Sequence, residues 1–522
     1  MTDAVTLDET PARKAADWPL RALIAVTAAA LAFSLLVRLT AAGHQPLWLD
    51  EAWTLAVASQ PSWALVIRHT WLDANAPLYY ALEHVWGGLF GFSNASLRAP
   101  AILFGALIPL PVLLVRLPGL STETRVAWAA TLALWKWGLW FSEDARGYAL
   151  LTLLCVAQTV IFIRLVARPG TRLAALWALV SSLAILTHYY ALLLVGLQGL
   201  AYLAAGRGRA LRTWPAALIF AVPFAWIGFH APRLVLFARP DVAWYNLVRP
   251  ASLARLLSFP VGSVELAAYA GVLGLMGLMV FVVASRGRWP IRRAAALEAG
   301  ARSPVLLAVG TAVLGAAILL VLGALRPSFT DRYLTFFVPG ILLGGVLVFG
   351  VLHRRAPFVL PGLMILFLLA AYQWWRDELR ITGRVYNYEV ASTLLMKGRP
   401  ERLVFLWDHP AHRIETDDQL AAVGDAFFRR AKQPVQAVAV HVGASEDPSP
   451  KLAAAAAGAR SAILWMYDTG VQGTAAAAAS LGLGSSLAPT WTATACTGCP
   501  ARRKKASPTV ASWSSVSIRC AG

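Results

Sequence analysis

Charge is scarce in this sequence. Asp, Glu, Lys and Arg make up only 14% of its 522 residues, against about 25% in a typical soluble chain. Hydrophobic residues reach 58% and the mean hydropathy is +0.60. A soluble globular protein is excluded on these grounds. Cysteine is scarce too, with 4 residues, which rules out a disulfide scaffold. Cys155 lies in an apolar run and reads as inert packing, and Cys496 and Cys499 form a single CxxC, half of what a structural zinc site requires. No internal repeat is evident, which counts against transporter folds built from inverted repeats.

What the chain has in abundance is membrane-length apolar sequence. A helix needs roughly 20 apolar residues to cross a bilayer. About eleven spans are expected: 20–41, 98–117, 127–141, 147–167, 172–187, 189–206, 213–230, 263–284, 304–324, 332–352 and 358–375. The net charge of +19, from 46 Lys and Arg against 27 Asp and Glu, would suggest nucleic acid in a soluble protein. Here the basic residues sit in short loops between apolar runs, which is how membrane topology is encoded. Membrane lipids or an anionic lipid-linked substrate are the expected partners, and nucleic acid is not.

Alternate loops differ in sign. Arg13, Lys14 and Arg21, then Arg116 and Arg125, Arg164 to Arg172, Arg207 to Arg212, Arg286 to Arg302, and Arg354 with Arg355 form the basic set. By the positive-inside rule these face the cytoplasm, with the N-terminal segment 1–19. The other set, 42–97, 142–146, 231–262 and 325–331, carries Asp50, Glu51, Asp73, Glu143, Asp144, Asp241 and Asp331. It should face the periplasm or exterior, and an odd number of spans puts the C-terminus there as well. The protein is then a multi-pass protein of the cytoplasmic (inner) membrane.

Within the first outer loop, 61–72 and 77–90 read as short amphipathic helices lying along the interface. The loop 231–262, with Trp244, Tyr245, Pro250 and Pro260, reads as a lid or substrate-facing segment. Beyond the transmembrane domain 20–375 the composition changes. Strands are expected at 402–408, 436–442 and 461–467, with an amphipathic helix at 417–432. They make a small α/β domain over 376–489, and 490–522 reads as a poorly ordered tail.

The chemistry-bearing residues gather at the outer ends of the spans. Leu47-Trp48-Leu49-Asp50-Glu51-Ala52-Trp53 places two carboxylates just past the first span, where acidic groups are costly. Adjacent helical residues do not share a face, so Asp50 and Glu51 should do different jobs. One would take a proton from a hydroxyl while the other pairs with a cation. Arg146, in Ser142-Glu143-Asp144-Ala145-Arg146-Gly147-Tyr148, is the expected cation, since guanidinium binds carboxylate or phosphate in a bidentate way. Asp144 and Tyr148 accompany it, and a surface salt bridge at a helix start is the plainer alternative. His188 and Tyr189, in Thr187-His188-Tyr189-Tyr190, are hydrogen-bond donors for a phosphate or sugar, or members of an interfacial aromatic belt. Arg332, in Asp331-Arg332-Tyr333, is a phosphate ligand or an arginine that snorkels, with Tyr333 beside it. Asp73, ahead of Pro77, is a site residue or a helix cap.

Taken together, the DEA of Asp50 to Ala52, the Asp73…Pro77-Leu78-Tyr79-Tyr80 segment, Arg146 to Leu151, Thr187 to Tyr190 and Asp331 to Leu334 resemble the GT-C class of integral membrane glycosyltransferases. The similarity is to the family 39-like group of protein mannosyltransferases and aminoarabinose transferases, over roughly residues 20–375. The resemblance implies a polyprenyl-phosphate sugar donor used at the outer face, inversion at the anomeric carbon, and Asp50 as general base. It implies further that Glu51 and Arg146 shape the site and that Arg332 or the aromatic pair holds the leaving phosphate. One departure is visible: Asn75-Ala76-Pro77 lacks the basic residue that relatives carry before the proline. No phosphate-cradling glycine loop and no nucleotide-sugar fingerprint appears, in keeping with a lipid-linked donor. No resident cofactor is expected and no metal ligands are assigned, although carboxylates suit Mg²⁺ or Mn²⁺. The acceptor, whether lipid, glycan or protein, is not encoded legibly. The rival reading is a transporter or flippase for a lipid-linked sugar, which would place charges at mid-membrane.

Overall fold

The computed structural model describes residues 18–41, 45–239, 247–284, 303–327, 329–380, 388–407, 416–442, 449–467, 491–495 and 516–520. Asp241, Trp244, Tyr245, Cys496 and Cys499, most of segment 1–19 and the arginines from 286 to 302 lie outside these residues.

Eight helical stretches among the described residues are long and apolar enough to cross a membrane: Leu20–Thr40, Asn94–Leu114, Tyr148–Ala167, Trp214–Phe237, Val264–Ala284, Pro304–Leu325, Asp331–His353 and Val359–Glu378. The protein is therefore a multi-pass α-helical membrane protein. The sequence suggested about eleven spans. Two of the additional runs form the shorter apolar helices Thr171–Thr187 and Ala191–Gly206. The run 127–141 is divided at Trp135, whose φ of −58° and ψ of 119° end the helix Thr122–Leu134 and start Lys136–Phe141. A tertiary bond holds that break, because the buried Trp135 indole N–H donates to the Phe259 carbonyl at 3.1 Å.

The chain forms two units. One comprises 1–43, 101–226 and 245–380; the other comprises 44–100, 227–244 and 381–522. In the first, Trp18–Ala41 packs on Thr122–Leu134 and Val359–Glu378, and Tyr148–Ala167 packs on Thr171–Thr187. The outward faces of these helices stay apolar. Leu275, Met279 and Val283 follow one another at four-residue spacing on one exposed stripe, as a helix facing lipid requires. Where two spans meet, small residues allow close approach. A Cβ at Gly340 would collide with Ala312 Cβ and come within 3.1 Å of the Ala308 carbonyl oxygen.

In the second unit, the helices expected at 61–72 and 77–90 form as Trp63–Leu72 and Pro77–Phe90, preceded by a further short helix, Leu49–Ala58. The same unit holds the α/β region. Its sheet has the order β2-β1-β3-β5-β4, with β1 (Arg402–Trp407) parallel to both β2 (Gln436–His441) and β3 (Ala462–Tyr467). Arg402 pairs with Gln436 on one side and Ala462 on the other. A central parallel strand covered on both faces must be apolar throughout, and Leu403-Val404-Phe405-Leu406 is buried throughout. Val404 and Leu406 join Val440, Leu452 and Leu464 on one face. Leu403 and Phe405 meet the helix Asp417–Arg430 at Gly424, where a side chain would lie 3.1 Å from the Phe405 ring. Thr416 caps that helix, its side chain accepting from the Gln419 amide. Strands β4 (Trp491–Ala495) and β5 (Val516–Cys520) pair antiparallel within the stretch read as a tail.

The helix contact at Gly340 is directly testable. Gly340→Ala should destabilise the detergent-solubilised protein by about 1–3 kcal/mol through overpacking. Gly345→Ala on the same helix, where no atom lies within 4 Å of the new methyl, should be neutral or stabilising by up to about 1 kcal/mol. Thermal unfolding reads both, and equal melting temperatures would contradict the packing.

Candidate active site

The acidic pair lies in the first turn of Leu49–Ala58, where carboxylates favour the positive end of the helix dipole. Its two members are treated differently. Glu51 is fully buried. Its carboxylate accepts the Trp48 N–H at 3.2 Å, which closes the first turn. It also accepts Arg98 Nε at 2.7 Å and Nη2 at 2.6 Å, a bidentate pair with side-chain exposures of 1% and 0%. Arg98 spends its remaining donors on the Gln45 and Pro46 carbonyls, at 2.7 and 3.3 Å. Asp50, its neighbour, is half-buried. The sequence reading named Arg146 as the cation for the pair; the guanidinium on Glu51 belongs to Arg98. Arg98 was passed over because it opens an apolar run and reads there as a span end.

A second buried carboxyl lies close by. Glu83 on Pro77–Phe90 is fully buried, and burial pushes its pKa up to about 8, the Glu51 charge adding to the shift and the Tyr79 hydroxyl opposing it. Glu83 is therefore largely a neutral acid at pH 7. Asp73 ends the helix Trp63–Leu72. Its carboxylate accepts Tyr80 Oη at 2.5 Å, Asn75 Nδ2 at 2.7 Å and the Ala74 amide at 2.8 Å. The sequence alternative for Asp73 was a cap on the helix at Pro77; that N-cap is Ala76, and Asp73 instead closes the turn between the two helices. His230 Nε2 donates to the Trp71 and Asp73 carbonyls, both at 2.9 Å, and Arg233 Nε donates to Leu72 O at 2.8 Å.

In the first unit, the remaining candidates gather around His188, in the break between Thr171–Thr187 and Ala191–Gly206. The His188 ring lies 4.8 Å from Tyr333, 5.8 Å from Tyr190 and 6.0 Å from Tyr148, centroid to centroid. Arg332, in the 3₁₀ turn Asp331–Phe337, stacks over Tyr148 at 5.8 Å. Burial pushes the His188 pKa down to about 3, with the Arg332 and Arg146 charges adding to the shift. A neutral imidazole thus sits in the field of two guanidinium groups. Arg146 and Asp144 are buried in the turn before Tyr148, where the Arg146 amide donates to Asp144 O at 2.6 Å. The structure accordingly brings together Arg146, Tyr148, His188, Arg332 and Tyr333. The Tyr189 hydroxyl accepts the Trp226 indole N–H at 2.8 Å. Tyr190 joins the cluster through a ring contact with Tyr333 at 4.8 Å. Arg38, buried in the first helix, donates to Ser142 Oγ at 3.0 Å and to Ser34 Oγ, and Glu143 lies within reach of its charge. It anchors the turn that carries Arg146.

Guanidinium groups bind carboxylate or phosphate in a bidentate way, which is the chemistry Arg146 and Arg332 bring to this cluster. A half-buried carboxylate at a helix start is a proton acceptor or a cation ligand. Among the described residues, no group of three or more His, Cys, Asp and Glu side chains is arranged to hold a metal ion.

These features define a polytopic α-helical membrane protein. No protein-family model and no curated protein sequence matches the chain. Its fold is that of ArnT from Cupriavidus metallidurans. The apo crystal structure of ArnT matches with a TM-score of 0.56 at 12% identity, over 94% of this chain and 97% of that one. ArnT bound to undecaprenyl phosphate matches with a TM-score of 0.51 at 11% identity over the same shares. The archaeal oligosaccharyltransferase AglB from Archaeoglobus fulgidus, in complex with an inhibitory peptide and a dolichol-phosphate, gives a TM-score of 0.46 at 10% identity, over 84% and 69%.

Two outcomes follow from the buried carboxyls. Arg98→Met leaves Glu51 as an uncompensated buried charge and should destabilise the protein by about 3–5 kcal/mol; a melt unchanged from wild type would contradict the pairing. Glu83 has a folded-state pKa above its usual 4.5. Its stabilising contribution is therefore complete below pH about 4.5 and is lost as pH rises through about 8. Glu83→Gln should flatten the fall in melting temperature over that window. An identical pH profile in the variant would show that Glu83 does not hold the proton.

Proposed function

We propose that the protein is a glycosyltransferase that moves a sugar from a polyprenyl-phosphate donor to an acceptor hydroxyl at the outer face of the cytoplasmic membrane. Asp50 is the general base and the reaction inverts the anomeric centre. The observation that carries this reading is the division of the acidic pair. Arg98 occupies both oxygens of Glu51 and holds it out of proton chemistry, while Asp50 is only half-buried at the helix start. The fold shared with ArnT, which was also crystallised bound to undecaprenyl phosphate, supports the donor class.

In this scheme Asp50 takes the proton from the acceptor oxygen as that oxygen bonds to the anomeric carbon. The glycosidic C–O bond to phosphate breaks, and the polyprenyl phosphate leaves with the bonding pair. Arg146 and Arg332 stabilise the anion that departs, and the Tyr148, Tyr190 and Tyr333 rings supply apolar surface beside them. General-base assistance contributes about 10²–10⁴-fold and is not the whole effect; stabilising the departing phosphate adds an electrostatic contribution. The reaction class needs one phosphate to be neutralised, which two arginines can supply.

Asp50→Asn should lower transfer in membranes by about 10²–10⁴-fold with an unchanged melting temperature. The assay follows the radiolabelled sugar of polyprenyl-phosphate donors into product. Full turnover in the folded variant would remove Asp50 as the base. Flux of labelled lipid across vesicles without glycosidic bond formation would point instead to a flippase.

A further inference from the structure

The C-terminal α/β region has no assigned role in such a reaction, yet its side chains reach the helix that carries Asp50. That helix, Leu49–Ala58, is ten residues, or about 15 Å long, and it is gripped at both ends. Before its start, Glu389 on the helix Tyr388–Met396 accepts the Leu47 amide at 2.7 Å and Asn94 Nδ2 at 2.8 Å. Arg430, on Asp417–Arg430, completes this cluster, donating to Glu389 Oε1 at 2.6 Å and to Asn94 Oδ1 at 2.6 Å. At the far end Arg429 Nη2 donates to the Ala56 carbonyl at 3.3 Å and to Ser59 Oγ at 3.1 Å, while its other arm pairs with Asp425.

These bonds are not those of a loosely docked domain. Glu389 is 16% exposed and Arg430 22%, and hydrogen bonds to ionised groups are roughly twice as strong as neutral ones. A cation at a helix C-terminus meets carbonyls that the helix itself leaves unpaired. Leu47 and Glu389 are 342 residues apart in sequence, and Ala56 and Arg429 are 373 apart.

We propose that Glu389 and Arg429 are positioning residues, by which the C-terminal region clamps the two ends of the Asp50 helix and fixes the carboxylate for proton transfer. The proposal rests on the reading of Asp50 as base. Geometry of this kind matters kinetically, because a misplacement of about 1 Å can lower a rate about 10²-fold. The clamp acts on the backbone on either side of Asp50 and touches no substrate, so it should affect turnover and leave donor binding alone.

The test uses the full-length protein in nanodiscs, with undecaprenyl-phosphate-linked radiolabelled sugar as the probe. Glu389→Ala and Arg429→Met should each lower kcat about 10²-fold with KM within about twofold, and amide exchange over residues 45–60 should rise about tenfold, the loss of one hydrogen bond. Exchange in Tyr148–Ala167 should be unchanged. Glu389→Gln and Arg429→Lys retain an acceptor or a donor in place, and they should recover most of the turnover. Unchanged exchange over 45–60, a change confined to KM, or no recovery by the conservative variants would overturn the clamp. If Asp50→Asn itself keeps full turnover, the reading of Asp50 fails separately, and the exchange data alone decide whether the helix is held from the C-terminal region.

Discussion

A buried ion pair determines how the acidic motif can be used. Removing Arg98 and Glu51 from water carries a penalty of several kcal/mol per ion, which is recovered only with near-ideal geometry and complete hydrogen bonding. The structure provides both. Two short parallel bonds join the guanidinium to the carboxylate, and its remaining donors hold the Gln45 and Pro46 carbonyls. Glu51 meanwhile closes the first turn of its helix through the Trp48 amide. One carboxylate thus fixes the backbone on which the next is displayed. Glu83 can sit in the same region only because it keeps its proton, since a third charge there would face Glu51.

The positive side of the chemistry is built differently. Arg332 lies over the Tyr148 ring, and the charges of Arg332 and Arg146 both act on a neutral His188. Arg38, tied to Ser142 and Ser34, holds the turn that carries Arg146.

The membrane fold was legible because the signal is large. Spans such as Pro304–Leu325 are apolar all round, and only a helix can cross lipid with its backbone satisfied. The three parallel strands were legible for a similar reason, as Leu403 to Leu406 forms an unbroken apolar run between turn residues. The break at Trp135 was not, since it depends on an indole bond to Phe259, 124 residues away. The candidate site residues stood out where polar residues interrupt apolar sequence, as at Asp50, Arg146, His188 and Arg332. Arg98, Glu83 and Glu389 were missed because each lies within a helix whose pattern explains it without a special role. Their importance comes from partners that only the fold supplies. Tyr189 and Tyr190 could not be told apart, since adjacent aromatics carry the same signal and the backbone turn alone decides which joins His188.

The account stands on Asp50 acting as base while Glu51 acts as scaffold. Chemical rescue separates the two most directly. With Asp50→Ala and Glu51→Ala proteins in membranes, formate is titrated into the transfer assay. Formate should restore turnover to Asp50→Ala in proportion to its concentration and leave Glu51→Ala inactive, because a diffusible base can replace a proton acceptor and not the partner of a buried guanidinium. Rescue of Glu51→Ala with none of Asp50→Ala would contradict the assignment.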